Sequence, residues 1–490
     1  MTIILTNGVL KAQTTTFDIK LISEGKENGG KGFEINDSTY YYLGTKEDQD
    51  ASTYLYDINF IKINNEGSYS TKPIVSQDSS VGIGFLKALE DNLFLGIGYF
   101  GFNSTVRPGG IYNVIFNSEL KIVSKKIFNF PEPYTFIFSS PKKILTTPSG
   151  SHILVLSLTE KSDVQGHDPG DLVFYEFDPY GDTLRTSIYK QELGQRYYDA
   201  CFNTDSTQIW VFGIGFREGV TQWVKFDLDF KLISIEEFYS KVSYPFHIKR
   251  ETIDQWIGCS TFIPHDKGQN DELWVFRMDS NGVILNEIVI GTPDTIDYAS
   301  FGRSVDFSEN GDIYISGTHN LTIGYYPNIP SWIMLSKLDN DFNLQFTKYY
   351  NSDDKYYDNI DLLACSDGGV ILSNIRYDSE NNEEPPYDTD AWIFKVDANG
   401  FMTDIGETEN ATVKNALVYP NPGMDFINVS CGWPRAEIKI YDINGRLVLS
   451  RELEKTYTVI STRELLPGKY AWAVSSANKL IETGKWIKTQ

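Results

Sequence analysis

The sequence predicts an all-β protein, a seven-bladed β-propeller followed by a small β-sandwich. The first observation is a unit that recurs seven times in the first 400 residues, with spacings of 49 to 61 residues. The second is that each unit contains two strand–turn–strand patterns, as a four-stranded propeller blade would. The third is a change of composition near residue 415. The chain carries a net charge of −23, yet residues 415–490 carry +3.

One half of each unit ends at an Asx residue that follows an apolar-alternating strand. These anchors are Asn64, Asn117, Asp178, Asp227, Asp279, Asp339 and Asp397. The residue before each anchor is apolar in all seven units, and the residue before that is charged in six of them. Strict alternation beside a turn is typical of a strand with one buried face, and the Asx side chain can start the turn.

The third residue after the anchor divides the units into two groups. Glycine stands there in the odd units, at Gly67, Gly181, Gly282 and Gly400. The even units have Leu120, Phe230 and Phe342 instead. Because glycine readily adopts a positive φ and larger residues rarely do, we expect the even turns to differ in geometry.

A second polar turn precedes each anchor by about 25–30 residues, so each unit has strands A to D joined by A–B, B–C and C–D connections. Closing a propeller requires the two ends of the chain to meet in one blade. Residues 16–22 are predicted as an outer D strand that completes the last blade, in competition with residues 401–406 for that edge. We expect the propeller to span residues 14–406.

Residues 1–13 contain Ile3, Ile4, Leu5, Val9 and Leu10, interrupted by a polar Thr-Asn-Gly sequence. This segment is interpreted as a remnant signal peptide, although an ordinary first strand fits it equally well. N-terminal sequencing of exported protein would separate the two interpretations.

Net charge and composition exclude several classes of protein. The chain has 66 acidic and 43 basic residues, which argues against sequence-independent nucleic-acid binding and against an anionic membrane surface. It contains no apolar run of the roughly 18 residues that a membrane span needs, so no transmembrane segment is expected. The four cysteines are predicted to be free and mostly buried: Cys201, Cys259, Cys365 and Cys431.

The B–C connections are long and variable, whereas the other turns are short, so ligand binding is expected on the B–C face. Tyrosines gather near these connections and could stack on sugars or dock a protein, while blade packing is the alternative. The candidate ligand-binding residues are Tyr325, Tyr326, Tyr356, Tyr357 and Tyr377. Trp274 and Trp392 are in phase with the apolar face and are assigned to the core.

Two other groups on this face contain side chains that can bind metal ions. The acidic connection from Tyr377 to Asp390 offers many carboxylates, but no spacing in it matches a calcium loop, so a solvated acidic loop is favoured over calcium. His167, His265 and His319 belong to the B–C loops of units three, five and six and are interpreted as polar loop residues. We therefore assign no metal site and no cofactor, with calcium as an open alternative.

Residues 407–414 form a polar linker, and residues 415–490 form a separate domain of short alternating strands. Three motifs punctuate this domain. They are Tyr419-Pro420-Asn421-Pro422, then Tyr441-Asp442 with Asn444-Gly445-Arg446, and finally Gly468 with Tyr470 in the sequence LPGKY. A basic end, residues 485–488, follows them.

In order and spacing, these motifs resemble the C-terminal sorting domain of type IX secretion cargo (the Por secretion family, type A). The resemblance implies an immunoglobulin-like sandwich that is recognised by the outer-membrane machinery and removed by a sortase. It also implies a secreted or cell-surface protein of a Gram-negative bacterium that reaches the surface through the periplasm. The repeats resemble propeller cargoes of the same route more loosely, and this implies no activity.

Three functions remain open for the propeller. The favoured one is an adhesin-like or lectin-like protein that binds a glycan or a protein. The alternatives are a polysaccharide-degrading enzyme and a structural surface protein, because propellers host all three. The sequence contains no G-x-S-x-G, no H-E-x-x-H and no sialidase box, so we assign no catalytic residue.

Overall fold

The computed structural model describes most of the chain and fixes the order of the strands. The described residues are 15–21, 27–36, 38–48, 55–74, 80–101, 110–136, 142–160, 171–190, 195–215, 221–237, 243–262, 270–292, 295–321, 330–351, 355–377, 389–402, 412–419, 423–431, 433, 435–453, 457–476 and 479–489.

Seven antiparallel sheets follow one another along the propeller, which confirms the predicted architecture. Blade one contains β2 (Glu27–Asn36), β3 (Thr39–Asp48), β4 (Leu55–Asn64) and β5 (Tyr69–Ile74). Blade two contains β6 (Ser80–Ala88), a single 3₁₀ turn (Glu90–Asn92), β7 (Leu93–Gly101), β8 (Gly110–Asn117) and β9 (Ile122–Asn129). Blade three contains β10 (Tyr134–Phe136), β11 (Lys142–Thr146), β12 (His152–Glu160), β13 (Asp171–Phe177) and β14 (Thr183–Tyr189). Blade four contains β15 (Gln195–Phe202), β16 (Gln208–Gly215), β17 (Thr221–Asp227) and β18 (Leu232–Glu237).

The last three blades repeat the pattern with small variations. Blade five contains β19 (Ser243–Arg250), β20 (Gln255–Phe262), β21 (Glu272–Asp279) and β22 (Ile284–Ile290). Blade six contains β23 (Tyr298–Ala299), β24 (Val305–Phe307), β25 (Ile313–His319), β26 (Trp332–Leu338) and β27 (Leu344–Asn351). Blade seven contains β28 (Tyr356–Ala364), β29 (Val370–Tyr377), β30 (Thr389–Val396) and, from the start of the chain, β1 (Phe17–Leu21).

The strand β1 closes the ring, as the sequence predicted for residues 16–22. It pairs antiparallel with β30, from Phe17 opposite Lys395 to Leu21 opposite Ala391. The indole N–H of Trp392 donates to Asp18 across this junction at 2.6 Å. The outer edge of blade seven is thus covered by the first strand, which removes a free strand edge. Residues 403–406 of the competing segment lie outside the described residues.

The core lies between the blades, where each sheet packs its apolar face against the next. Trp274 and Trp392 are both fully buried, as predicted. All four cysteines are buried and unpaired. Burial raises the pKa of the Cys259 thiol to about 12, so this cysteine is an unreactive core residue.

The C–D turns share one geometry, which corrects the expectation that the even turns differ. Leu120, Phe230 and Phe342 have φ values of 61°, 62° and 68°, so non-glycine residues adopt the left-handed conformation in the even blades. The amide of Phe230 donates to the carbonyl of Asp227 at 3.0 Å, just as Gly282 donates to Asp279 at 3.1 Å.

The choice between glycine and a large residue follows from the neighbouring blade. A Cβ on Gly282 would lie 2.5 Å from the ring of Trp223 in blade four, so only glycine fits there. Phe230 instead fills the space itself, stacking on Phe174 of blade three with ring centroids 4.9 Å apart. Each C–D turn therefore packs on the preceding blade. Beside the glycine turns, a side chain of the preceding blade fills the space, and in the even turns the turn residue itself fills it.

The C-terminal domain consists of two sheets that enclose a core of their own. One sheet contains β32 (Ala416–Tyr419), β33 (Phe426–Cys431) and β36 (Tyr457–Ser461). The other contains β34 (Ala436–Tyr441), β35 (Leu447–Leu453), β37 (Gly468–Ser476) and β38 (Lys479–Lys488). Trp486 and Trp472 are buried between the sheets. Two packed antiparallel sheets form the predicted β-sandwich.

One further strand, β31 (Thr412–Lys414), lies at the end of the segment expected as a linker. It adds to the outer edge of blade six by pairing with β27.

Candidate functional site

The Asp442 motif forms the hairpin turn between β34 and β35. One carboxylate oxygen of Asp442 accepts the amides of Asn444 and Arg446 at 2.9 and 3.0 Å. Gly445 follows with a φ of 77° and open space around it. The same arrangement occurs in the propeller, where Asp178 accepts two amides of its own turn. Asp442, Asn444 and Gly445 therefore build the turn, and the exposed side chains around them are free to make other contacts.

The Gly468–Tyr470 motif lies beside this turn. Strands β34 and β37 are antiparallel and place Tyr441 opposite Ala471, so the end of β34 adjoins the start of β37. The hydroxyl of Tyr470 donates to the carbonyl of Leu466 at 2.5 Å, and its ring packs on Trp486. Tyr470 thus fixes the loop that precedes β37.

The basic C-terminus is tied to the same end of the sandwich. The ammonium of Lys488 donates to the carbonyls of Met424 and Thr462, at 2.8 Å in each case. Gly423 exchanges backbone hydrogen bonds with Ile487 and Thr489. Lys488 is buried, and its ammonium is hydrogen-bonded to these carbonyl oxygens. It therefore connects the C-terminal strand with the segments around Met424 and Thr462.

These segments form one surface, which we call the motif end. It comprises residues 423–425, 442–446, 462–468 and 488–489. Three of its apolar side chains are strongly exposed, namely Ile443 at 80 %, Leu466 at 78 % and Met424 at 60 %. The Arg446 side chain is also 80 % exposed. Pro420, Asn421 and Pro422 lie outside the described residues. An apolar surface with a cationic neighbour is a feature of protein-recognition sites.

On the propeller, His319 occupies a buried position rather than a polar loop. It ends β25 and is 1 % exposed. Its Nδ1 lies 2.7 Å from a carboxylate oxygen of Asp297, which is itself fully buried. The other oxygen of Asp297 accepts the amide of Thr292 at 2.6 Å. These hydrogen bonds fix the His319–Asp297 pair inside blade six.

The described tyrosines of the predicted ligand site are buried. Tyr356, Tyr357 and Tyr377 are 5 %, 0 % and 2 % exposed. This burial favours the alternative in which these rings pack within the blades. Tyr356 and Tyr377 lie opposite each other in blade seven and share one apolar cluster. Tyr325 and Tyr326 lie outside the described residues, and the role of the five tyrosines in binding stays a prediction.

The acidic connection from Tyr377 to Asp390 has only its two ends among the described residues, and His167 and His265 also fall outside them. Within the described ranges, no group of three or more His, Cys, Asp or Glu side chains is arranged to hold a metal ion. In the same part of the chain, no helix has the length and apolar character to cross a membrane.

Sequence reasoning missed three aspartates that bind the inner strands together. Each accepts a backbone amide from the inner strand of the following blade. Asp199 accepts Ile248 at 2.9 Å, Asp306 accepts Ala364 at 3.1 Å and Asp361 accepts Gly32 at 2.8 Å. No repeat-wide spacing in the sequence marks these positions.

Each of the three aspartates also receives a cation from the preceding blade. Lys143 pairs with Asp199 at 2.9 Å, Lys249 contacts Asp306, and Arg303 pairs with Asp361 at 2.7 Å. Every such carboxylate therefore connects three consecutive blades. Burial by itself would raise the pKa of Asp306, but Lys249 and Arg303 hold the pKa below its usual value. These contacts hold neighbouring blades of the ring together.

Two carboxyl groups near the B–C face differ from those pairs. Burial raises the pKa of Asp358 to about 7, although a hydrogen bond from Thr318 opposes the rise. Burial and the neighbouring Asp297 raise the pKa of Glu272 to about 7. Both groups can exchange a proton near neutral pH.

Comparison with known proteins identifies the C-terminal domain. Residues 417–489 match the family model described as a secretion system C-terminal sorting domain. No curated protein matches the chain.

Three solved structures are similar to it at low identity. The β-propeller domain of the trilobed protease from Pyrococcus furiosus is 10 % identical, with 71 % of this chain and 91 % of that chain covered and a TM-score of 0.38. A protein from Lactobacillus plantarum is 11 % identical, with 65 % and 83 % covered and a TM-score of 0.37. PorZ, a surface component of the type IX secretion system of Porphyromonas gingivalis, is 10 % identical, with 96 % and 100 % covered and a TM-score of 0.23.

These similarities are too weak to support a statement about activity. Every described motif that the sequence shares with sorting domains lies within the residues that the family model matches. Residues 417–489 are a secretion system C-terminal sorting domain of the Por secretion family, and they follow a seven-bladed propeller.

Proposed function

We propose that this chain is a cargo of the type IX secretion route whose propeller binds a glycan or a protein outside the cell. The sorting domain serves as the address, is recognised at the outer membrane and is removed by a sortase. The protein is then anchored at the surface or released.

The observation that carries the proposal is the motif end. Separate motifs converge there and expose Ile443, Leu466 and Arg446 together on one surface. Exposed apolar side chains that gather on one surface, rather than singly, mark a site that a protein partner covers. For a sorting domain, this partner is the secretion machinery.

Export of two matched variants tests the address. Leu466→Asp places a charge on the motif end. Leu480→Asp places the same charge at an equally superficial site, 61 % exposed, beside the opposite end of the sandwich. We expect Leu466→Asp to accumulate in the periplasm while Leu480→Asp reaches the outside. Equal export of both variants, or export of a chain that lacks residues 415–490, contradicts the proposal.

A glycan and polysaccharide array with the full chain tests the propeller, with product release measured on every positive spot. Binding without turnover is the expected result and establishes an adhesin-like protein. The second candidate, a polysaccharide-degrading enzyme, is favoured only by Asp358 and Glu272, whose raised pKa values suit proton transfer. Turnover that Asp358→Asn or Glu272→Gln abolishes would establish the enzyme in place of the binding protein.

A further inference from the structure

The sorting domain is packed onto blade six through its first strand and the residues beside it. The backbone of β31 continues the blade, with Asn351 opposite Thr412 and Tyr349 opposite Lys414. The hydroxyl of Tyr349 also lies 2.7 Å from that of Ser430, and both side chains are buried. The two domains therefore share an interface that is independent of the covalent connection between them.

The strand β32 contributes side chains to two hydrophobic cores, one in the sandwich and one in the propeller. Alternate residues of a strand point to opposite sides, so Ala416 and Val418 lie on one face and Leu417 and Tyr419 on the other. Ala416 and Val418 belong to the core of the sandwich. Leu417 and Tyr419 instead pack in the apolar cluster between blades five and six, where Leu417 is 6 % exposed.

The propeller side of this interface contains both apolar and polar recognition groups. Leu417 enters a cluster that includes Ile290 and Met334. The Tyr419 hydroxyl donates to the hydroxyl of Thr292 at 3.3 Å, and its ring meets His319 edge-on with centroids 6.1 Å apart. The apolar recess, the hydroxyl group and the edge of β27, which β31 occupies, together match an extended chain with an aliphatic and an aromatic residue two positions apart.

We propose that blade six carries a docking surface for an extended polypeptide segment, and that residues 412–419 of the sorting domain fill this surface in the uncleaved chain. The occupant is an extended strand with an aliphatic residue followed, two positions later, by an aromatic residue with a polar tip. Availability of the surface in the cell rests on the proposed removal of the sorting domain. The surface itself is a property of the purified chain.

The test uses the full chain with a specific protease site inserted within residues 403–411. After cleavage, the labelled sorting domain is followed by size-exclusion chromatography and fluorescence anisotropy at micromolar concentration. We expect the severed domain to remain bound to the propeller. Complete separation, with both parts still folded by circular dichroism, overturns the proposal.

Matched variants of the cleaved chain locate the binding energy. Thr292→Val and Tyr349→Phe each remove a hydroxyl from the interface, and we expect each to weaken binding about tenfold, the effect of losing one buried hydrogen bond. Tyr470→Phe removes a hydroxyl inside the sorting domain and leaves the interface intact, so its affinity should equal that of the parent chain. Equal affinity of all three variants contradicts the assignment.

A synthetic peptide with the sequence of residues 412–419, TVKNALVY, tests the strand itself. At millimolar concentration it should displace the labelled sorting domain, and a peptide with alanine in place of Leu417 and Tyr419 should not. If neither peptide displaces the domain, the surface recognises the folded sandwich and not an extended segment. Failure of the export test would leave all of these binding results unchanged, so the two proposals fail separately.

Discussion

Replacing Gly282 with alanine isolates the contact between neighbouring blades. Gly282 has a φ of 79°, and alanine in the left-handed region costs about 1–2 kcal/mol. The new Cβ would also lie 2.5 Å from the ring of Trp223, which is 2 % exposed and stacked on Phe212. Since this ring has no room to move, overpacking adds about 1–3 kcal/mol. The free energy of unfolding should therefore fall by about 2–5 kcal/mol in total.

The matched control is Gly368→Ala, in the A–B turn of blade seven. Gly368 has a φ of 85° and donates to the carbonyl three residues earlier, as Gly282 does, but no atom lies within 4 Å of its would-be Cβ. It should lose only the backbone contribution of about 1–2 kcal/mol. Chemical denaturation followed by tryptophan fluorescence gives both values, since the midpoint shifts with stability while the slope stays constant.

A double-mutant cycle completes this test. In a Trp223→Phe background the smaller ring relieves the overlap, so Gly282→Ala should become as mild as Gly368→Ala. The reasoning is refuted if Gly282→Ala costs no more than Gly368→Ala in the parent chain. It is also refuted if the smaller ring at residue 223 leaves the cost of Gly282→Ala unchanged.

Three further perturbations probe the ring, the even turns and a buried charge. Asp361→Ala removes a buried carboxylate and leaves the Gly32 amide and the Arg303 guanidinium without their partner, so it should cost about 3–5 kcal/mol in denaturant unfolding. Asp182→Ala removes an exposed ion pair and should cost less than about 1 kcal/mol. Phe230→Ala keeps the left-handed turn but removes its buried ring, so it should cost about 3–5 kcal/mol, and a loss under about 1 kcal/mol would contradict the packing assigned to the even turns. Lys348 is buried, and its ammonium lies over the ring of Phe401 with no hydrogen-bond partner among the described residues. Burial lowers its pKa to about 7, so the unfolded chain binds more protons than the folded one between pH 7 and about 10.5. Stability should accordingly rise with pH across this window, and Lys348→Met should flatten the rise; an unchanged pH profile would place the charged form of Lys348 in the folded state.

The sequence predicted the features that depend on local chemistry. Alternating strands before Asx residues, and the glycines that follow four of them, act within a few residues of chain. Their repetition indicated blades, and the count of seven followed from it. The sorting motifs were visible for the same reason, because the Asp442 turn is built from its own side chain and neighbouring amides.

Tertiary structure decided the features in which the partner is distant along the chain. Leu120, Phe230 and Phe342 gave no sign in the sequence that they adopt a glycine-like conformation, because the reason lies in space left by the preceding blade. Asp361 bonds to Gly32 across 329 residues. The packing of Leu417 and Tyr419 on blade six is likewise invisible in a segment that resembles a linker and a first strand. Local propensity acts through the backbone of each residue, whereas these contacts depend on volume and charge that only the closed ring brings together.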